Sequence, residues 1–245
     1  MMNIIKLIAE KANNRQGVKI PTIAFLGDSV TQGCFELYKK NDSALEAFYD
    51  KNCSYHNYIA KILTVLFPEA PINIINAGIG GDSAPEGLRR LEREVLAFDP
   101  DLTVVCFGLN DCGKGLDGLQ TYADSLRQIF TKLKEADSEV IFMTPNMMNT
   151  KISCHIINRG ERKFSDMAER LLELQTDGVL DAYVNVAKSV AEECGVTICD
   201  VYGKWKKLAE NGIDTTELLA NKMNHPTREM NWLFAYSLVE TMMNC

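Results

Sequence analysis

No stretch of this 245-residue chain approaches the roughly 18 to 20 consecutive apolar residues that a helix needs to cross a bilayer, so no membrane partner is expected. Lysine and arginine form no stripe and the net charge is −7, which leaves the counterion release that drives nucleic-acid binding without a surface to act on. Short paired cysteine spacings are absent. Cys34, Cys53, Cys106, Cys112, Cys154, Cys194, Cys199 and Cys245 are scattered, several inside apolar runs, which argues against a zinc ligand set and reads as reduced core thiols. Neither a metal nor a cofactor is expected. Histidine is scarce: His56, His155 and His225 are the only three, so chemistry that needs an imidazole base has few places to find one.

The opening segment, Met1 to Gly17, lacks a small-residue cleavage site. Its apolar cluster Ile4, Ile5, Leu7 and Ile8 is broken by Lys6 and followed by Glu10, Lys11 and Arg15, the pattern of an amphipathic helix. Residues 1–20 therefore read as an N-terminal helical extension, residues 21–245 as one domain, and the expected location is cytoplasmic.

What is present is the balance of a globular protein, 46% apolar and 24% charged. Apolar or β-branched runs recur at Thr22 to Leu26, Ile72 to Ile75, Leu102 to Phe107, Val140 to Met143 and Val196 to Cys199. They lack polar alternation, as strands of a parallel sheet covered on both faces do. Helical spacing of apolar residues fills the intervals, for example Tyr55 to Phe67 and Leu119 to Leu133. Ser83 with Glu86 three residues on is a capping box that starts a helix at Ala84. Met230, Leu233, Phe234 and Leu238 mark a final helix expected to begin just past Pro226. Alternating β and α elements predict a three-layer α/β/α sandwich with a five-stranded parallel sheet, whose ligands bind outside the carboxyl ends of the strands.

Gly27-Asp28-Ser29 follows the first strand. A serine there needs a neighbouring base to become a nucleophile, and by itself the tripeptide favours a hydrogen-bonded turn. Asn76-Ala77-Gly78-Ile79-Gly80-Gly81-Asp82-Ser83 follows the second strand; its glycines let a substrate approach backbone N–H groups, as one donor of an oxyanion hole requires, or else simply permit a tight turn. Asn110, in Gly108-Leu109-Asn110-Asp111 after the third strand, offers a side-chain amide to the same oxyanion, or a turn cap. Among the histidines, His56 lies in a helical stretch and suits a packed or surface role. His155 stands in the region Asn146 to Gly160, which is expected to help form a pocket wall through Met147, Met148, His155 and Arg159. His225, in Asn224-His225-Pro226 before the last helix, is best placed to act as the base.

Together, Gly27-Asp28-Ser29, Gly81, Asn110 and His225-Pro226 resemble, in order and spacing, the SGNH hydrolases, the GDSL esterase and lipase family. The resemblance spans about Thr22 to Ala235. It implies a flavodoxin-like sandwich in which Ser29 is the nucleophile and His225 its base. It further implies an oxyanion held by the backbone amides of Ser29 and Gly81 and by the Asn110 side chain. One position departs: where the family has an aspartate three residues before the histidine, this chain has Lys222, which cannot accept the imidazole N–H. A backbone carbonyl near Lys222 is the expected substitute; Asp214 or Glu217 is the alternative.

The resulting expectation is a serine esterase acting on a small acylated substrate, such as a carbohydrate O-acetyl or other short acyl ester, since no long apolar lid segment is evident. The alternative is a non-catalytic carbohydrate- or ligand-binding protein that keeps the fold. A dinucleotide fingerprint built on Gly78 and Gly80 with Asp99 fits poorly, because Ser83 occupies the third glycine position and the motif follows the second strand. A cysteine mechanism at Cys34, or a metal at Cys53 and His56, lacks the partner residues such chemistry needs.

Overall fold

In a computed structural model of the chain, residues 1–41 and 44–244 are described; Cys245, read above as one of the thiols, lies outside them. Five strands, β1 (Thr22–Gly27), β4 (Asn73–Gly78), β5 (Leu102–Cys106), β6 (Glu139–Met143) and β7 (Thr197–Cys199), form one sheet in the order β4-β1-β5-β6-β7. Every pairing in it is parallel. This is the flavodoxin-like order. All residues of β1 and β5 are buried, which is why these runs carry no polar alternation.

Among the described residues there are ten α-helices, α1 (Asn3–Asn13), α2 (Ser29–Gln32), α3 (Tyr55–Leu66), α4 (Ala84–Glu94), α5 (Leu119–Glu135), α6 (Cys154–Arg159), α7 (Arg162–Thr176), α8 (Val179–Glu193), α9 (Val201–Glu210) and α10 (Asn231–Asn244), with short 3-10 turns between some of them. α4, α5 and α8 pack side by side, whereas α3 packs on α10, with α1 and α9 beside it. Right-handed crossovers put these two groups on opposite faces, because the chain moves from β1 to β4 in one direction and from β4 through β5 to β7 in the other. Ile4, Ile5 and Ile8 of α1 are buried in the same core cluster as the sheet. Glu139 at the start of β6 accepts the Asn3 and Ile4 N–H groups at 2.9 and 2.8 Å, capping that helix from outside.

Three local expectations are corrected. The second sheet strand runs on to Gly78, because its parallel register with β1 continues to Gly27↔Gly78, so Asn76, Ala77 and Gly78 belong to the strand and not to the loop after it. The last helix starts at Asn231 and not just past Pro226: Pro226 bridges Leu219, and Thr227 supplies the turn into the helix by accepting from Met230 and Asn231. A two-stranded antiparallel hairpin, β2 (Cys34–Lys39) and β3 (Leu45–Tyr49), was not expected at all. It stands just after the turn that carries Ser29.

Of the described cysteines, Cys34, Cys106, Cys112 and Cys199 are buried, Cys53 and Cys194 are partly exposed and Cys154 is exposed; all are free. The core-thiol reading holds for the first four.

Candidate active site

The carboxyl ends of β4, β1 and β5 meet where the strand order reverses, and each delivers one of the residues singled out in the sequence. β1 ends at Gly27, where a Cβ would collide with Thr31 Oγ1 and the Cys106 carbonyl, so only glycine lets the chain turn there. Asp28 then caps α2, its Oδ1 accepting the Val30 N–H at 2.9 Å, the turn-fixing role its position suggested. Burial pushes the Asp28 carboxyl up to about 7. Ser29 is the first residue of α2, and its Oγ lies 2.9 Å from His225 Nε2.

After β4 the chain reaches Gly81, whose φ of +83° is a left-handed conformation that a side chain would strain. Its N–H makes no hydrogen bond among the described residues, whereas the Gly80 N–H is spent on Gln32 Oε1 at 2.7 Å. Arg90, buried, gathers the surrounding backbone: Nη2 donates to the Gly27 carbonyl at 2.9 Å, Nη1 to Ala77 at 2.6 Å, and Nε to the Asp82 carboxylate at 2.6 Å.

Beyond β5, Asn110 Nδ2 donates one hydrogen to the Asp82 carbonyl at 2.8 Å, and its second hydrogen remains available. Asp111 ties this turn to α4, accepting the Gly108 N–H at 3.0 Å and the Ala84 N–H at 2.8 Å. Burial pushes its carboxyl up to about 7. The capping box at Ser83 and Glu86 is present, and α4 begins at Ala84 as the sequence indicated.

His225 is buried, and desolvation holds its imidazolium down to about 4 from the usual 6.5, against opposing influences from the Phe35 carbonyl and Glu36. Its Nδ1 lies 3.2 Å from the Phe35 carbonyl oxygen. A backbone carbonyl therefore faces the ring nitrogen, as expected, but it comes from the unforeseen hairpin and not from near Lys222. Lys222 turns away, its Nζ 2.9 Å from the Glu217 carboxylate, and Asp214 is ion-paired with Lys151; neither alternative carboxylate reaches the imidazole.

The His225 loop rests on residues the sequence reading did not pick out. Asn221 Oδ1 accepts three consecutive N–H groups, those of Met223, Asn224 and His225, at 3.0, 2.9 and 3.0 Å. Asn146 Nδ2 donates to the Asn224 carbonyl at 2.8 Å, and the Asn149 N–H to the Met223 carbonyl at 2.7 Å. The segment expected as a pocket wall thus divides in two. Asn146 to Asn149 lie buried against the His225 loop, while His155 and Arg159 border a cavity of about 230 Å³ shared with Leu37, Tyr38 and Lys222.

His56 is buried with its Nε2 2.8 Å from Ser54 Oγ, a packing role. Asp99, the ribose ligand of the dinucleotide alternative, precedes β5 and pairs with Lys19, at the opposite end of the sheet from the glycines. Among the described residues no group of three or more His, Cys, Asp or Glu side chains is arranged to hold a metal ion, and no helix is long and apolar enough to cross a membrane. A cleft of about 760 Å³ adjoins the site, walled by Gly81 and Asn110, by polar groups including Ser83, Glu86, Lys114 and Asp117, and by Pro85 and Tyr122.

A family model described as GDSL-like Lipase/Acylhydrolase matches residues 25–233. An acetylxylan esterase of Geobacillus stearothermophilus is 24% identical over 195 residues, 76% of this chain and 78% of that one. The thioesterase 1/protease 1/lysophospholipase L1 of Escherichia coli K12 is 29% identical over 103 residues, 42% of this chain and 47% of that one. Crystal structures of an acetylxylan esterase from Geobacillus stearothermophilus include two catalytic mutants, one with a serine replaced and one with a histidine replaced. They are 20% and 21% identical, with TM-scores of 0.64 and 0.65, and each match covers 91% of this chain and 94% of the other.

Proposed function

The chain belongs to the GDSL-like lipase/acylhydrolase family and is a carboxylic ester hydrolase; from that premise we propose that it removes short acyl groups, acetyl foremost, from a carbohydrate, with Ser29 as nucleophile and His225 as base. The single observation that carries the reading is the 2.9 Å approach of Ser29 Oγ to a buried His225 Nε2. Burial keeps that imidazole neutral at ordinary pH, so its Nε2 lone pair is free to take a proton.

On this reading Ser29 Oγ attacks the ester carbonyl while its proton passes to His225 Nε2. The carbonyl oxygen becomes an oxyanion that accepts from the N–H groups of Ser29 and Gly81 and from the free hydrogen of Asn110 Nδ2. Each such donor is worth roughly 3 to 4 kcal/mol when it is aimed at charge that develops only in the transition state. The imidazolium returns its proton to the departing alcohol, leaving the acyl group on Ser29. Water then attacks that ester with His225 again taking the proton, and collapse frees the acid and restores Ser29. Residues 21–245 would form the catalytic domain, with residues 1–20 a helical extension docked on it.

Two observations favour a sugar ester over a lipid. The cleft beside Gly81 and Asn110 sets hydroxyl, carboxylate and ammonium groups next to Pro85 and the Tyr122 ring, a mixture that suits the polar edge and apolar face of a sugar ring. Tyr49, 42% exposed, brings its hydroxyl close to Gly80, next to Gly81. A relative that acts on acetylated xylan points the same way.

The test is hydrolysis of p-nitrophenyl acetate and longer p-nitrophenyl esters, and release of acetate from acetylated xylo-oligosaccharides, beside Ser29→Ala and His225→Ala. Turnover confined to short esters and abolished by both substitutions is the expected result. Activity that survives Ser29→Ala would overturn the mechanism.

A further inference from the structure

The hairpin that supplies the Phe35 carbonyl is held to the His225 segment by a second set of bonds, all made by Arg228, three residues after the histidine. Arg228 Nη1 and Nη2 donate to the two oxygens of Glu36 at 2.7 and 3.1 Å, and Nε donates to Asp50 Oδ2 at 3.1 Å. The guanidinium also lies over the Phe35 ring, 4.4 Å from its centroid. Glu36 follows Phe35 directly, and the Asp50 N–H closes the foot of the hairpin on the Gly33 carbonyl at 2.9 Å.

Phe35 is itself irregular. Cys34 pairs with Tyr49 and Glu36 with Phe48, so the ladder shifts register between them and Phe35 has no partner across it. A bulge of this kind re-aims the group it frees, and here the Phe35 carbonyl faces His225 Nδ1 at 3.2 Å. The contacts close a ring: from His225 along the chain to Arg228, across the fork to Glu36, back one residue to Phe35, and through its carbonyl to His225 again. One side of that ring is the Arg228–Glu36 fork, which is planar and two-pronged where a lysine would be a single point.

Resting on the reading of Ser29 and His225 given above, we propose that Arg228 is a positioning residue for the base. By clamping the Phe35 bulge through Glu36, it holds a backbone carbonyl on Nδ1 where Lys222 leaves the family's carboxylate missing. The carbonyl accepts the Nδ1 proton and so keeps Nε2 unprotonated toward Ser29, the tautomer that a general base requires.

The experiment compares wild type with Arg228→Ala, Arg228→Lys, Glu36→Gln and the double variant Arg228→Ala/Glu36→Gln. For each, kcat and KM are measured on p-nitrophenyl acetate, and the tautomers of the three histidines are read from ¹⁵N NMR of the folded protein. Arg228→Ala is expected to lower kcat about tenfold to a hundredfold with KM within about threefold, and to turn the His225 signals from one tautomer into a mixture. Glu36→Gln should move both readouts in the same direction. The double variant should be no worse than the more damaged single one, since both break one clamp. Arg228→Lys should recover only part of the loss, and guanidinium at millimolar concentration should restore some of the activity of Arg228→Ala. A folded Arg228→Ala protein with kcat within twofold of wild type and an unchanged tautomer would overturn the proposal, as would strictly additive losses in the double variant. If Arg228→Ala does not fold, Glu36→Gln and Arg228→Lys decide by the same criteria. The tautomer is read without turnover, so failure of the clamp is distinguishable from failure of the Ser29 mechanism, which Ser29→Ala alone reports.

Discussion

Replacing Asn221 by alanine should loosen His225, the proposed base, while leaving every proposed reacting group in place. Its Oδ1 is the acceptor for three successive N–H groups, those of Met223, Asn224 and His225, and the residue is 7% exposed, so water has little access to replace it. Neutral hydrogen bonds of this type contribute about 1 kcal/mol each, which puts the loss for Asn221→Ala at about 3 kcal/mol of folding stability. Asn221→Asp keeps the acceptor. The one bond it removes, from Asn221 Nδ2 to Asn224 Oδ1 at 2.9 Å, is recoverable if Asn224 turns its amide over, so that variant should stay within about 1 kcal/mol of wild type. Urea unfolding gives the stabilities, and kcat on p-nitrophenyl acetate at a temperature where both variants are folded gives the positional effect. A tenfold or greater fall in kcat is expected for alanine, since about 1 Å of misplacement is enough for losses of that order. The reasoning fails if Asn221→Ala unfolds within 0.5 kcal/mol of wild type, on the order of an ordinary surface substitution, or if Asn221→Asp is as damaged as alanine.

Four further outcomes follow from the geometry. Asn110→Ala should lower kcat by about 10²- to 10³-fold with KM little changed, because on the proposed reading the second Nδ2 hydrogen is used only on the oxyanion, while the first holds the Asp82 carbonyl; a KM effect with kcat intact would assign Asn110 to ground-state binding. The pH profile of kcat/KM should stay level as pH falls through 6.5 and drop only through about 4, because burial depresses the His225 imidazolium and a base works while neutral; an acid limb centred near 6.5 would refute the burial argument. The same depressed values at His225 and His56 make the unfolded chain bind more protons between pH 6.5 and 4, so their stabilising contribution is lost as pH falls through that window. Asp28 and Asp111, raised to about 7, act in the opposite sense, their contribution being lost as pH rises toward 7, and urea midpoints across pH 4 to 7 in His56→Gln and Asp111→Asn would separate the two. Finally, Asp214→Ala and Glu217→Ala should each keep most of the activity, since Asp214 pairs with Lys151 and Glu217 with Lys222; a loss of several hundredfold in either would place a carboxylate on His225 after all.

The sheet and the residues at its edge were legible in the sequence because the information is local. A strand buried on both faces, such as Thr22–Gly27, announces itself by an unbroken apolar run. The turns after such strands carry what a site there would use, which drew attention to Ser29, to the glycines after the second strand and to Asn110; the resemblance to the SGNH hydrolases selected Gly81 among those glycines, and the shortage of other histidines pointed to His225. What orients His225 was not legible. The sequence shows only that Lys222 cannot do it, and the substitute, the Phe35 carbonyl, is a backbone group of a type every residue carries, brought across 190 positions by a bulged hairpin. That hairpin had a signal of its own, the turn-forming cluster Asn41-Asp42-Ser43 between two short runs rich in aromatic and aliphatic residues. Asn221 and Arg228 carried none, since an asparagine or arginine in a polar segment is ordinary until the N–H groups it collects and the carboxylates it bridges are known. Composition and periodicity thus determined the layers and the strand ends. Only the tertiary structure decided which backbone and side-chain groups hold His225, because those bonds join segments whose separation in sequence says nothing about their distance in space.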